Sequence, residues 1–153
     1  MATKRYRFTP RGRLLTVITR SLIVAYRWTG GVVGGRLRGL PGILLTTTGR
    51  RSGAPRTVHL PTILDGPDLL VVASFAGNER HPAWYLNLVA QPRVEVRRGR
   101  RTFAATATPV EGEERERLWA RIVDIAPYYA DYQRGLSRQI PVVRIVPDPS
   151  EAT

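Results

Sequence analysis

Leu14, Ile18, Leu22 and Tyr26 step by four along the chain, the spacing of one helix face, and predict a helix over Arg13–Trp28. Arg13, Arg20 and Arg27 recur every seven residues. A helix drifts only about 20° per heptad, so these arginines form a second, cationic stripe. A helix that is apolar on one side and basic on another suits a membrane surface. An ordinary helix packed on the domain, with its arginines in water, accounts for the pattern as well. Thr29–Gly42 is rich in glycine and reads as a linker. Beyond it, short apolar or alternating runs predict strands near Gly42–Thr47, Thr57–Leu64, Leu69–Phe75, Arg93–Arg98, Arg101–Pro109 and Ile140–Val146. Asp65-Gly66 and Gly99 mark hairpin turns. Helices are expected at Pro82–Ala90, with proline in the first turn, and at Gly112–Ile125, whose early acids suit the N-terminal dipole. A short third one is expected at Pro127–Leu136. Short antiparallel strands with inserted helices predict a β-rich α+β fold, a small barrel with helices around it. The organisation expected is a basic tail, amphipathic helix and linker over 1–41, one barrel domain over 42–147 and a tail over 148–153.

A chain of 153 residues fits one domain, and 42% hydrophobic residues suffice for an ordinary core. The formal net charge of +12 is unevenly spread, since the first acidic residue is Asp65. All the excess charge falls in residues 1–64, so the expected partner there is a polyanion, an anionic membrane surface or an acidic ligand. The absence of cysteine excludes disulfides and thiol nucleophiles. His59 and His81, without an HExxH-type pattern, give no zinc motif. Leu14–Tyr26 falls short of the roughly 20 apolar residues a bilayer span needs and carries Arg20 at its centre. Nothing in the sequence argues for a signal peptide, and a cytoplasmic location is expected, with a peripheral position on the inner membrane face left open through the helix.

Three segments carry candidate chemistry. Thr47-Thr48-Gly49-Arg50-Arg51-Ser52-Gly53-Ala54-Pro55-Arg56-Thr57 reads as a strand end and a loop with three arginines. Guanidinium groups match phosphate and carboxylate oxygens, and glycines let backbone N–H groups approach an anion. A solvated turn is the plain alternative. Ala73-Ser74-Phe75-Ala76-Gly77-Asn78-Glu79-Arg80-His81-Pro82-Ala83-Trp84-Tyr85 joins a strand, a glycine-containing loop and a helix start, a natural anion site. Trp84 and Leu88, four apart, also suit a core. Tyr129 and Tyr132, three apart, share a helix face and offer flat walls with hydroxyl donors. No GxSxG, GxGxxG or GxxxxGK[ST] occurs. Residues of these types bind and steady an anionic organic cofactor, which would itself supply the hard chemistry.

Together these segments, followed by Ile140-Pro141-Val142-Val143, resemble the deazaflavin-dependent nitroreductase and quinone reductase family of actinobacteria, over about Gly42–Pro147. The resemblance implies a split β-barrel of the flavin-reductase type and coenzyme F420 as cofactor. It implies that Arg50, Arg51, Ser52, Gly53, Arg56 and Thr57 hold the cofactor's anionic part. Ala73, Ser74, Gly77, Arg80, His81, Pro82, Trp84 and Tyr85 would line its ring. Tyr129 and Tyr132 would close the acceptor side and assist protonation. A further aromatic position of the family is Ala126 here, and His59, Pro61 and Thr62 depart from its pattern. The activity implied is hydride transfer to a quinone, enone or nitroaromatic. Two other readings stand beside it: the same barrel with FMN or haem, or a non-catalytic basic protein of membrane surfaces or nucleic acid. Against nucleic acid, the aromatics cluster in the pocket-like segments rather than among the N-terminal arginines.

Overall fold

The computed structural model describes residues 10–151, with backbone alone for 10–13. Most of the basic tail read at 1–13, the Arg13 side chain and the last two residues lie outside the described residues. Eight strands form one antiparallel sheet: β1 (Arg36–Leu37), β2 (Leu40–Thr48), β3 (Pro55–Pro61), β4 (Ile63–Asp65), β5 (Asp68–Val72), β6 (Arg93–Arg98), β7 (Arg101–Pro109) and β8 (Val142–Pro147). Their order is β1-β2-β6-β7-β8-β5-β4, and β3 pairs with β2. Four helices accompany them: α1 (Pro10–Thr29), α2 (Ala83–Ala90), α3 (Gly112–Ile125) and α4 (Tyr128–Arg134). The expected barrel with flanking helices is the observed fold. Gly66 and Gly99 adopt the positive φ that the β4–β5 and β6–β7 turns require.

The strand expected over Thr57–Leu64 is two strands. Pairing of β2 with β3 ends at Gly42↔Pro61, and pairing of β4 with β5 begins at Ile63↔Leu70. Between them the buried Thr62 donates its N–H to the Pro41 carbonyl at 2.8 Å and its hydroxyl to the Leu70 carbonyl at 2.9 Å. One residue so ties β2 to β5. Pro61 has no N–H to continue a ladder, which favours the break. The expected linker Thr29–Gly42 contains a further strand, β1, turned onto β2 through Arg38 and Gly39. The strand expected to reach Phe75 stops at Val72, because the chain there enters a tight turn.

β5 shows why its sequence is continuously apolar. Leu69 and Val71 fill the barrel interior with Ile43, Leu45 and Val96, while Leu70 and Val72 face a second core with Leu118 and Ile122 of α3 and Tyr129 of α4. A strand buried on both faces has no polar side to alternate.

α1 is attached differently from its pattern. Of the four apolar residues that step by four, only Tyr26 is buried; Leu14, Ile18 and Leu22 are exposed. Tyr26 Oη accepts from the Gly99 N–H at 2.7 Å and donates to the Gly42 carbonyl at 2.9 Å, and its ring meets His59 edge-on. His59 in turn hydrogen-bonds the Gly34 carbonyl at 2.7 Å. The helix is thus pinned near its C-terminal end to β2 and the β6–β7 turn. Tyr26→Phe keeps the ring but leaves two backbone groups without this partner. It is expected to cost about 1–3 kcal/mol in denaturant unfolding, and an unchanged midpoint would refute the anchor.

Candidate functional site

The β2–β3 loop is a closed turn from which arginines project. Gly49 N–H donates to the Ala54 carbonyl and Gly53 N–H to the Gly49 carbonyl, each at 2.8 Å. A Cβ on Gly49 would lie 2.7 Å from Ser52 Oγ, so only glycine fits there without displacement. Asn87, buried in α2, fastens this loop to the helix. Its Oδ1 accepts from the Arg50 N–H at 3.2 Å and from Arg50 Nη1 at 3.3 Å, and its Nδ2 donates to Thr47 Oγ1 at 3.1 Å.

Arg50, Arg51, Ser52, Arg56 and Thr57 line a cavity of about 720 Å³ together with Trp84 and Asn87. Arg20 and Arg27 of α1 complete it. The cationic stripe of α1 therefore turns toward the basic loop, with Arg27 Nη2 reaching Thr57 Oγ1 at 3.4 Å. Five arginines line this space, and among the described residues no acidic side chain does. Such a cluster is stabilised by an anion.

A second cavity, of about 540 Å³, shares Val58, Ala83 and Trp84 with the first. The two adjoin at those residues and together make up the candidate cleft. The second end is walled by Pro61, Ser74, Phe75, Pro82 and three tyrosines, Tyr128, Tyr129 and Tyr132. The tyrosines sit in unlike environments. Tyr129 is buried, and burial pushes its phenol well above the usual range. Tyr128 lies under the Arg38 guanidinium, 3.9 Å from its ring centroid, and its hydroxyl is buried without a hydrogen-bond partner. Tyr132 is half-buried and accepts a hydrogen bond from Arg38 Nη1. The Tyr132 contact raises the Arg38 guanidinium further above its ordinary value.

The loop between β5 and α2 is strained and held from outside. Phe75, Ala76 and Gly77 have φ of 48°, 50° and 78°, three successive left-handed residues of which two are not glycine. Arg138, from the segment before β8, donates to the carbonyls of Ala73 (3.2 Å), Ser74 (3.0 Å) and Asn78 (2.8 Å). Ser137 adds a backbone and a hydroxyl hydrogen bond to the Glu79 carboxylate, holding it below the usual range. His81 stacks on Tyr85 at 4.8 Å, and its Nδ1 lies 3.3 Å from Arg138 Nη1.

Of the residues singled out in the sequence, the cleft brings together Arg50, Arg51, Ser52, Arg56, Thr57, Ser74, Pro82, Trp84, Tyr129 and Tyr132. Gly53, Ala73, Gly77, Arg80, His81 and Tyr85 are not part of its lining. Ala73 is buried with both backbone groups engaged, by the Pro141 carbonyl and by Arg138. Gly77 packs behind Tyr132, where a Cβ would approach ring carbon Cδ1 to 3.2 Å. Arg80 is exposed, its N–H donating to Asn78 Oδ1. Gly53 borders a separate shallow cavity with Arg93 and Glu95. Trp84 serves both readings made of it, in the barrel core and on the cleft wall. Arg20, Arg27, Arg38, Asn87 and Arg138 were not among the assigned residues. The heptad spacing of the α1 arginines was the one signal for the first two.

Burial first, and then the Arg138 charge, holds the His81 imidazole below its ordinary value of 6.5. The unfolded chain therefore takes up the proton before the folded one as pH falls. The His81 contribution to stability is full above about pH 6.5 and lost as pH falls through the lower folded value. Glu79, Arg138 and Tyr85 are the other titratable groups of this cluster. His81→Gln is expected to flatten the acid limb of Tm against pH; parallel limbs for the two proteins would show that His81 is not the sensitive group.

A family profile described as F420H(2)-dependent quinone reductase matches residues 18–147. An F420H(2)-dependent quinone reductase of Mycobacterium tuberculosis is 43% identical over 122 residues, 77% of this chain and 82% of the relative. The solved structure of an F420-H2 dependent reductase, FDR-A, is 42% identical with a TM-score of 0.63, over 69% of this chain and 93% of that one. HutZ, the haem storage protein of Vibrio cholerae, shares the fold at 16% identity and a TM-score of 0.54, over 70% of this chain and 81% of that one. With its split barrel and its cationic cleft, the chain belongs to the F420H(2)-dependent quinone reductases, oxidoreductases whose cofactor is coenzyme F420.

Proposed function

We propose that this protein reduces a quinone at the tyrosine end of the cleft, with coenzyme F420 held along its length. The observation that carries this reading is two adjoining cavities that share Val58, Ala83 and Trp84, one lined by five arginines and the other by three tyrosines. The residues present fit the cofactor's chemistry. Arg50, Arg51 and Arg56, joined by Arg20 and Arg27, match an anionic tail, and Ser52 adds a hydroxyl. Ser74, Pro82 and Trp84 offer a largely apolar wall for a flat ring. When bound and reduced, coenzyme F420 supplies a hydride. The protein's share is to hold donor and acceptor together, exclude water and offer a hydroxyl to the acceptor oxygen. Tyr132 suits that last role: its oxygen accepts from Arg38, so its own hydrogen is left to donate. Planar enones and nitroaromatics meet the same wall and are the secondary acceptors of this reading. Gly53, Gly77, Arg80, His81 and Tyr85 take supporting positions around the loops.

Titration with coenzyme F420, followed through quenching of tryptophan fluorescence, tests the clamp, and turnover tests the acceptor. Arg50→Ala and Arg56→Ala are each expected to weaken binding about 10- to 100-fold, the effect of losing a charge-assisted hydrogen bond. Unchanged affinity in both would remove the clamp. A loaded protein that reduces enones or nitroaromatics but no quinone would overturn the acceptor assignment.

A lipid-dissolved quinone would be met at a membrane, and α1 supports such a contact on the inner face. No helix among the described residues is long and apolar enough to cross a bilayer. Leu14, Leu15, Val17, Ile18 and Trp28 are nevertheless exposed on α1, on a chain with a net charge of +12. Its arginines Arg20 and Arg27 serve the cleft, so the apolar side carries the proposal. Flotation with anionic vesicles is expected to recover the protein, and the double variant Leu15→Glu, Ile18→Glu to stay unbound while still reducing a water-soluble quinone. Equal flotation of both would dismiss the contact.

A further inference from the structure

Arg38 occupies a place that local chemistry does not favour. It is the first residue of the two-residue turn between β1 and β2, with φ of 51°, followed by Gly39 with φ of 83°. Both central residues of such a turn need positive φ, a demand usually met by asparagine and glycine. An arginine there costs backbone strain and gains nothing from the turn itself. Arg36 Nη2 steadies the turn by donating to the Gly39 carbonyl at 2.8 Å. The Arg38 side chain crosses to α4, lies over Tyr128 and donates to Tyr132 Oη. It also lines the tyrosine end of the cleft.

A guanidinium can only donate, so the Tyr132 oxygen is the acceptor in this pair. Its hydrogen is then directed away from Arg38. The same charge stands ready where negative charge would appear if Tyr132 gave up its proton. The guanidinium face against Tyr128 restricts the rotation of Arg38 and so the position of Tyr132.

We propose that Arg38 is a positioning residue for proton delivery: it fixes Tyr132 as the donor to the acceptor oxygen and stabilises the phenolate left behind. This rests on the reading of the tyrosine end as the acceptor site. In the step, the Tyr132 O–H bond breaks and an O–H bond forms on the acceptor oxygen. The electron pair stays on Tyr132 Oη beside the guanidinium, and water returns the proton. The two-electron reduction is the hydride transfer already assigned, so no further reductant is needed. Acceptors that build charge on a carbonyl oxygen gain from this arrangement; those that build none do not.

The test compares Arg38→Met, Arg38→Lys, Tyr132→Phe and the double variant Arg38→Met, Tyr132→Phe, with Arg98→Met as a charge control remote from the cleft. In the cofactor-free protein labelled with 13Cζ-tyrosine, the signal lost in Tyr132→Phe is expected to move in Arg38→Met and to stay in place in Arg98→Met. In the loaded enzyme, Arg38→Met is expected to lower kcat for a quinone about 10- to 100-fold with little change in KM for coenzyme F420. Arg38→Lys should recover part of that loss, and Arg38→Met should add little once Tyr132 is phenylalanine. Full kcat in Arg38→Met alongside a slowed Tyr132→Phe would overturn the role of Arg38 alone. Full kcat in Tyr132→Phe would instead overturn the acceptor site on which it rests. Multiplying losses in the double variant, or an unmoved tyrosine signal, would show that Arg38 does not act through Tyr132.

Discussion

Thr62 joins two strands, β2 and β5, that the sheet order separates by three others. Its N–H is spent on Pro41 of β2 and its hydroxyl on Leu70 of β5. These two bonds hold the curled sheet around the barrel core. They also decide where the functional loops go. The arginine loop leaves the far end of β2, and the strained loop leaves the end of β5. With those strands tied, both loops and α2 between them face a common cleft. An apolar residue at Thr62 would leave the Leu70 carbonyl without this partner inside the protein.

The cleft stores unfavourable terms that the rest of the fold offsets. Five arginines gather at one end with no acidic side chain among the described lining residues. At the other, Phe75 and Ala76 hold a backbone conformation that costs of order 1–3 kcal/mol each. Arg138 maintains it from outside through three carbonyls, with Ser137 and Glu79 beside it. Backbone strain of this kind persists only where the surrounding structure holds it in place.

The tyrosine end shows how environment separates chemically identical groups. Burial pushes the Tyr129 phenol, part of the second core, well above the usual range. Tyr128 supplies a ring for Arg38. Tyr132 lines the cleft and accepts a hydrogen bond from Arg38. α1 makes a comparable division of labour along one helix. Tyr26 anchors it, Arg20, Ile23, Val24 and Arg27 line the cleft, and Leu14, Leu15, Val17 and Ile18 are exposed.

The sequence by itself determined the elements and the chemistry of the site. Alternation and turn residues placed the barrel strands, and the Gly49–Arg56 loop and the Tyr129–Tyr132 pair marked the basic and aromatic linings of the cleft. These features are legible because they depend on neighbours within one turn or one strand. It did not reveal that Thr57–Leu64 is two strands, that a strand lies within Thr29–Gly42, or that Ala73 and His81 stand behind the cleft rather than in it. Only the tertiary structure decided those, because each depends on a partner far along the chain: Leu70 for Thr62, Arg138 for the loop before α2, Gly99 for Tyr26. It also set Arg20 and Arg27 beside the basic loop, since a helical period defines a face but not what that face meets. Arg38 was hidden for the same reason, its partner Tyr132 lying on a helix that only folding brings near.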